Sequence, residues 1–338
     1  YVKTLGKIVA KTILIGLIAV LIIYAVYLFH VWNYPQEQQI HDAEYVTRTY
    51  GLRSVVTLDL YLIKNDYLRP LGQYLMGLLM VIQRAIGGNT TYYWGEVSAS
   101  GWRSYFPVAY FLKETLILHI FSLLALILAF RKILSAKRRS ISSILDWSRD
   151  NFVLTASLIF IIFYWAYSIR STLNIGVRHV LPTFPFIYLL VARQVSGWLY
   201  SPLPENPKSF KDWLRYIYES LVRPIPKIIL IALLMLLMVV SVFSAFPYYI
   251  SYYNEIIGIE NGHRYIVDSN YDWGQDLGRL GDLVKNDTRF TGKEIYLNYF
   301  GGGSPRLELG EQYVDWWSAK GAPPPGSYFA VSISILEG

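Results

Sequence analysis

The chain has 338 residues, 54% of them hydrophobic and only 16% charged, with a mean hydropathy of +0.31. A soluble domain is nearer a quarter charged, so this composition excludes an ordinary soluble globule. The formal net charge is +7 and cysteine is absent, which excludes disulfides, thiolate metal sites and a cysteine nucleophile.

In chain order, apolar runs predict five membrane spans, near 8–30, 106–130, 152–169, 178–200 and 226–247. Each approaches the roughly 20 apolar residues that a crossing helix needs. Thr12–Phe29, Phe152–Ile169 and Ile228–Phe246 contain no charge; Phe106–Phe130 and Arg178–Tyr200 do. Thr12–Phe29 is too long for the apolar core of a cleavable signal. Lys3, Lys7 and Lys11 precede the first span. Arg131, Lys132, Lys137, Arg138, Arg139 and Arg149 fill the loop after the second, and Lys208, Lys211, Arg215, Arg223 and Lys227 the loop after the fourth. All three groups fall on one side of a five-span bundle, which makes that side cytoplasmic. Anionic headgroups account for the basic excess, so membrane lipids are expected partners and nucleic acid is not.

The opposite, external side receives Val31–Tyr105, Arg170–Val177 and everything after Pro247. Within the first of these, 71–86 is apolar but short, and reads as a helix lying in the outer interface, with a re-entrant segment as the alternative. Tyr92, Tyr93, Trp94, Trp102, Tyr105 and Phe106 then read as an interfacial aromatic belt. The expected division is a membrane domain over 1–247 and an external α/β domain over 248–338. Strands are predicted over 265–267, 294–300 and 328–335. A helix is predicted over 273–285, capped by Asp272, with Leu277, Leu280, Leu283 and Val284 on one face.

Polar groups inside apolar spans are costly and usually face a cavity or a partner. Lys113 and Glu114 are placed about 11 Å into the second span, where Lys113 either holds an anionic headgroup or snorkels to the interface. Arg178 offers a planar fork suited to phosphate, and His179 beside it a hydrogen-bond donor or proton shuttle. Pro182 and Pro185 bend the helix start that follows. The bland alternative is a cationic cap at the membrane edge. Asp268, Asp272 and Asp276 read as capping and first-turn acids. A divalent-cation site is the alternative; otherwise no metal or cofactor is expected.

Three phrases then carry a resemblance. Gly95-Glu96 with Gly101-Trp-Arg-Ser-Tyr-Phe-Pro-Val-Ala-Tyr-Phe-Leu-Lys113, Asn174-Ile-Gly-Val-Arg-His-Val-Leu-Pro182, and Asp268-Ser-Asn-Tyr-Asp-Trp-Gly-Gln-Asp-Leu277 resemble stretches of prokaryotic phospholipid-carrier-dependent glycosyltransferases. These are similar to the dolichyl-phosphate-mannose protein mannosyltransferases and the lipid A aminoarabinose transferases. The resemblance runs from about Tyr92 to the end and implies a GT-C fold, a many-helix membrane protein with an external active site. It also implies a polyprenyl-phosphate-linked sugar as donor, inverting transfer, and a lipid or protein acceptor.

On that resemblance Lys113, Arg178 and His179 hold the donor phosphate, and Glu96 and Asn174 line the substrate site. Lys113 is followed here by Glu-Thr, where relatives carry Thr-Pro. The family's catalytic Asp, usually in an Asp-Glu pair, belongs to a first external loop. His41-Asp-Ala-Glu44 does not reproduce its setting, so the chain reads as a fragment with the catalytic residue in preceding sequence. The implied location is a prokaryotic cytoplasmic membrane. The rival readings are a lipid or solute transporter or flippase, against which no inverted repeat is seen, and a non-catalytic scaffold.

Overall fold

A computed structural model describes residues 2–135, 140–199 and 209–337. Lys137, Arg138, Arg139 and Lys208 of the basic loops lie outside the described residues. The protein is mostly helical and separates into two compact units, 1–88 and 89–338. Among the described residues, four helices are long and apolar enough to cross a membrane: Gly6–Val31, Leu116–Ser135, Phe152–Arg170 and Phe210–Ser244.

The first unit holds α1 (Val2–Val31), α2 (Gln36–Thr47), α3 (Arg53–Ile63) and α4 (Arg69–Gly87). The helix expected over 71–86 is α4. Ala43, Ile63 and Met76 form the small core between α2, α3 and α4. Gly72 permits the close approach of α3 and α4, since a Cβ there would lie 2.5 Å from Ile63 Cγ1. Arg69 ties α4 to the end of α1 by donating to the carbonyls of Val31 and Tyr34.

The second unit begins with a hairpin of β1 (Thr91–Tyr93) and β2 (Glu96–Ser98), inside the stretch read as an aromatic belt. The expected second span is not one helix. It breaks into α5 (Tyr105–Lys113) and α6 (Leu116–Ser135), because Glu114 is extended at φ −94°, ψ 151°. Lys113 is therefore the last residue of a short helix and not a side chain inside a span. Helices α7 (Ile141–Asp150) and α8 (Phe152–Arg170) follow.

The expected fourth span also starts late. Residues Val177–His179 and Leu181–Thr183 form tight turns, and α9 runs only from Phe184 to Leu199, 16 residues, about 24 Å long. Gly176 at φ +94° and Pro182 explain the irregular entry. Then come α10 (Phe210–Ile217) and α11 (Ile225–Ser244).

The polar tail does not separate at 247. Tyr253 and Ile266 are buried in the same core as Tyr105, Phe106, Ala109, Val180 and Phe184. The strand expected over 265–267 is a single bridge, Tyr93 to Ile266. A second core begins at Leu277, where α12 (Leu277–Asn286) packs on a parallel sheet. That sheet contains β3 (Ile295–Asn298), and after α13 (Pro305–Leu309) come β4 (Tyr313–Asp315), β5 (Tyr328–Val331) and the one-turn α14 (Ile333–Leu336). Its order is β4-β3-β5, with Ile295 opposite both Tyr313 and Tyr328.

The helix expected from Trp273 starts four residues later. Asp272 is buried, and its Oδ1 accepts the N–H of Gly274 at 2.7 Å, which closes an Asx turn instead of capping a helix. Gly274 at φ +76° cannot carry a side chain there without strain, and a Cβ would lie 2.6 Å from the carbonyl oxygen of Phe300.

Candidate functional site

The residues that matter sit where α5 ends, where the chain re-enters at Gly176, and in the turn 268–276. Asn174 is fully buried. Its Oδ1 accepts the N–H of Trp102 at 2.7 Å and its carbonyl accepts Thr91 Oγ1 at 2.7 Å. Gly101 packs directly on it, since a Cβ would lie 2.6 Å from Asn174 Oδ1. Asn174 thus clamps the hairpin and the 101–102 loop to the segment before α9. Its Nδ2 is buried without a hydrogen-bond partner among the described residues.

Asn270 makes the second junction. Its Oδ1 accepts the N–H of Val177 at 2.8 Å, and its Nδ2 donates to Tyr105 Oη at 3.1 Å. Ser269 Oγ donates to the carbonyl of Ile175. A Cβ on Gly176 would lie 2.2 Å from that hydroxyl, so glycine is required both by space and by φ.

Lys113 makes the third. Its ammonium donates to the carbonyls of Ile250 at 2.8 Å, Asn270 at 2.6 Å and Tyr252, and stands 4.6 Å from the Tyr253 ring centre. Burial pushes its pKa down to about 7. The carbonyls act in the opposite sense, because only the charged form has three protons to give. With those protons committed to backbone oxygens, Lys113 fastens the broken helix to the tail; it is not left open to a phosphate.

Glu114 accepts from Tyr188 Oη at 3.0 Å, and burial raises its pKa. Glu255 crosses back to the break. Its Oε2 accepts the N–H of Leu116 at 3.0 Å and its Oε1 takes Ser241 and Tyr252. Burial acts to raise its pKa, but these bonds outweigh it and hold the carboxylate below its ordinary value.

Arg178 is exposed. Nε donates to the carbonyl of Ile175 at 3.0 Å, and the guanidinium lies over Trp273, 4.7 Å from the ring centre. Trp273 in turn meets Phe300 at 6.0 Å. His179 is stacked on Phe106 at 5.1 Å and 27°. Burial, and then the Arg178 charge, hold its pKa below the ordinary histidine value. Its Nε2 is buried without a hydrogen-bond partner among the described residues.

Of the residues expected from sequence, the structure brings Lys113 and Arg178 to the same turn, one through Asn270 and the other through Trp273. Glu96 is exposed on β2, and among the described residues no contact joins it to this cluster. Sequence reasoning missed Asn270, Trp273 and Glu255. The signal for the first two was present, since both lie inside the phrase 268–277. Asp276 pairs with Arg279, whose guanidinium also reaches the carbonyl of Pro247.

The basic residues lie at the opposite end of the helices from this cluster. Arg193 near the end of α9 reaches Asn151 before α8, and Lys227 near the start of α11 reaches the carbonyl of Trp198. Arg131, Lys132, Arg149, Lys211, Arg215 and Arg223 belong to that end. Comparison with protein-family models, curated proteins and solved structures gives no match for this chain.

Proposed function

We propose that the chain belongs to a membrane glycosyltransferase that moves a sugar from a polyprenyl-phosphate donor to a lipid or protein acceptor on the external face. One observation carries the reading. The three segments that resemble the family are far apart in sequence, yet they interlock: Trp102 with Asn174, Val177 with Asn270, and Lys113 with Asn270. The basic loops at the far end of the helices support an external position for this cluster.

Inverting transfer needs a base for the acceptor proton and a cation for the departing phosphate. Arg178 suits the second task. Its Nε bond and the Trp273 face fix the guanidinium while the residue stays exposed. His179, whose pKa burial lowers, is a candidate neighbour to the phosphate. Lys113 acts as a positioning residue, holding the 268–273 turn under Arg178. No residue is assigned as the base.

The test is transfer of labelled sugar from a synthetic polyprenyl-phosphate donor by the full-length protein in vesicles. Arg178→Lys replaces a bidentate fork with a point charge and is expected to lower kcat/KM roughly ten- to a hundredfold. Undiminished transfer in Arg178→Ala at native expression would remove Arg178 from the site. Donor-lipid movement across the bilayer without sugar transfer would favour a flippase.

A further inference from the structure

Among the described residues, two short helices at the basic end leave their apolar faces exposed. No residue of α7 or α10 is buried. Both nevertheless carry strong local start signals. Ser140 Oγ accepts the N–H of Ser143, and Ser209 Oγ accepts the N–H of Asp212 while donating to its carboxylate at 2.7 Å. Each helix is also two-faced. Ile141, Ile144 and Leu145 share one face of α7 and are 78%, 61% and 63% exposed. Phe210, Trp213 and Leu214 begin an apolar face that Tyr218 and Leu221 continue, while Lys211, Asp212, Arg215 and Glu219 fill the other.

Length makes the same point for α10. Phe210–Ser244 covers 35 residues, of which α11 alone, with 20 residues and about 30 Å, matches a hydrocarbon core of about 30 Å. The first part of the stretch must lie outside that core. A wide turn over Tyr218–Val222, followed by Pro224 and Pro226, marks where its geometry changes. Helix α7 runs directly into α8 at Asn151.

We propose that α7 and α10 form an interfacial collar that binds an anionic lipid surface. Their apolar faces would sit at the headgroup–acyl boundary and their basic residues would contact lipid phosphates. The occupant is argued from charge and continuity. On α10 and the turn after it, Lys211, Arg215 and Arg223 accompany the apolar face against Asp212 and Glu219, the latter paired with Arg223. Helix α7 carries Arg149 with Asp146 and Asp150, so for α7 the argument is continuity, and both helices are joined to spans that fix them near the surface. A soluble partner would have to compete with lipid for faces that adjoin the bilayer.

The chain has no cysteine, so single sites can be labelled in the full protein. Nitroxides at Ile144→Cys and Leu214→Cys report the apolar faces; Ser142→Cys and Glu219→Cys report the polar ones. In vesicles of phosphatidylcholine with phosphatidylglycerol, the first pair should relax severalfold more with oxygen than with a water-soluble nickel chelate. The second pair should show the reverse. Omitting phosphatidylglycerol, or Lys211→Gln with Arg215→Gln, should raise nickel access at Leu214→Cys severalfold. Equal nickel access on both faces in anionic vesicles would overturn the proposal. So would protection of the apolar positions from both reagents, which is the signature of a second copy or a protein partner. Two independent helices keep the test open if one variant misfolds.

Discussion

Asp59 in the first unit and Lys113 in the second are both ionisable groups set among helices, and they are accommodated in opposite ways. Asp59 is fully buried on α3 and, among the described residues, neither carboxylate oxygen has a hydrogen-bond partner. Burial pushes its pKa up to about 7. Lys113 has three partners, all backbone carbonyls of the irregular tail. The difference lies in the neighbouring backbone. Helices α2, α3 and α4 use most of their own N–H and C=O groups internally, so regular helices have little to offer a buried charge. The tail between Pro247 and Asp272 is mostly irregular, so its carbonyls are free to receive the ammonium. A broken helix next to an irregular chain is thus a place where charge can be kept, and an intact bundle is a place where it is suppressed.

Breaking the Lys113 cluster should produce the largest effect. Lys113→Met keeps much of the stem but leaves three carbonyls without donors, each costing about 1–3 kcal/mol when buried. We expect a loss of about 3–5 kcal/mol. It should appear as a lower unfolding midpoint in detergent by Trp fluorescence and as faster proteolysis between α11 and α12. A variant that stays fully stable but loses donor binding would instead make Lys113 a phosphate ligand, and would end the contrast with Asp59.

That contrast also marks what the sequence could convey. Apolar runs announced the membrane helices because 20 apolar residues have few other uses. They did not announce the break at Glu114. Nothing in Phe111-Leu-Lys-Glu-Thr115 forbids a helix; the break is held by distant groups, Glu255 on the Leu116 N–H and Asn254 Nδ2 on the Phe111 carbonyl. The late start of α9 was half legible, through Gly176 and the two prolines. In the tail, the sequence suggests Asp272 as the N-cap of a helix from Trp273, but the helix starts at Leu277. The partner of Asp272 is the N–H two residues on, because Gly274 turns the chain before a helix can begin. Arg178 could be read from sequence as a cation, but the Trp273 beneath it required the fold.

Asp59 gives the next effect and sharpens the comparison through pH. Its folded pKa, about 7, lies above the ordinary 3.8, so the folded state holds its proton where the unfolded chain has lost it. The stability this contributes is fully present below about pH 4 and is lost as pH rises through about 7. A rise of that size corresponds to on the order of 4 kcal/mol across the window. Asp59→Asn keeps the shape and removes the ionisation, so its unfolding midpoint should lack that decline between pH 4 and 7. An unchanged pH profile in Asp59→Asn would mean that Asp59 finds a partner in the membrane, as Lys113 does in the tail.

His179 should give the smallest effect, with the opposite sign. It resembles Asp59 in having a buried polar atom without a hydrogen-bond partner among the described residues, yet it belongs to the irregular cluster of Lys113. Burial and the Arg178 charge hold its folded pKa below the ordinary 6.5, so the unfolded chain takes up the proton first on acidification. Stability is therefore unaffected by His179 above about pH 6.5 and is lost as pH falls from there through the lower folded value. His179→Phe preserves an aromatic ring against Phe106 and removes the titration. Its unfolding midpoint, compared with that of the parent between pH 7 and 5, should fall less steeply with acid. Arg178→Gln should make the parent's decline smaller and end it at a higher pH, because it removes the second cause of the depression and brings the folded pKa nearer the ordinary value. If Arg178→Gln leaves the decline where it was, burial alone controls the ring. The cluster would then treat His179 as the helical unit treats Asp59, by excluding its charge and not by pairing it.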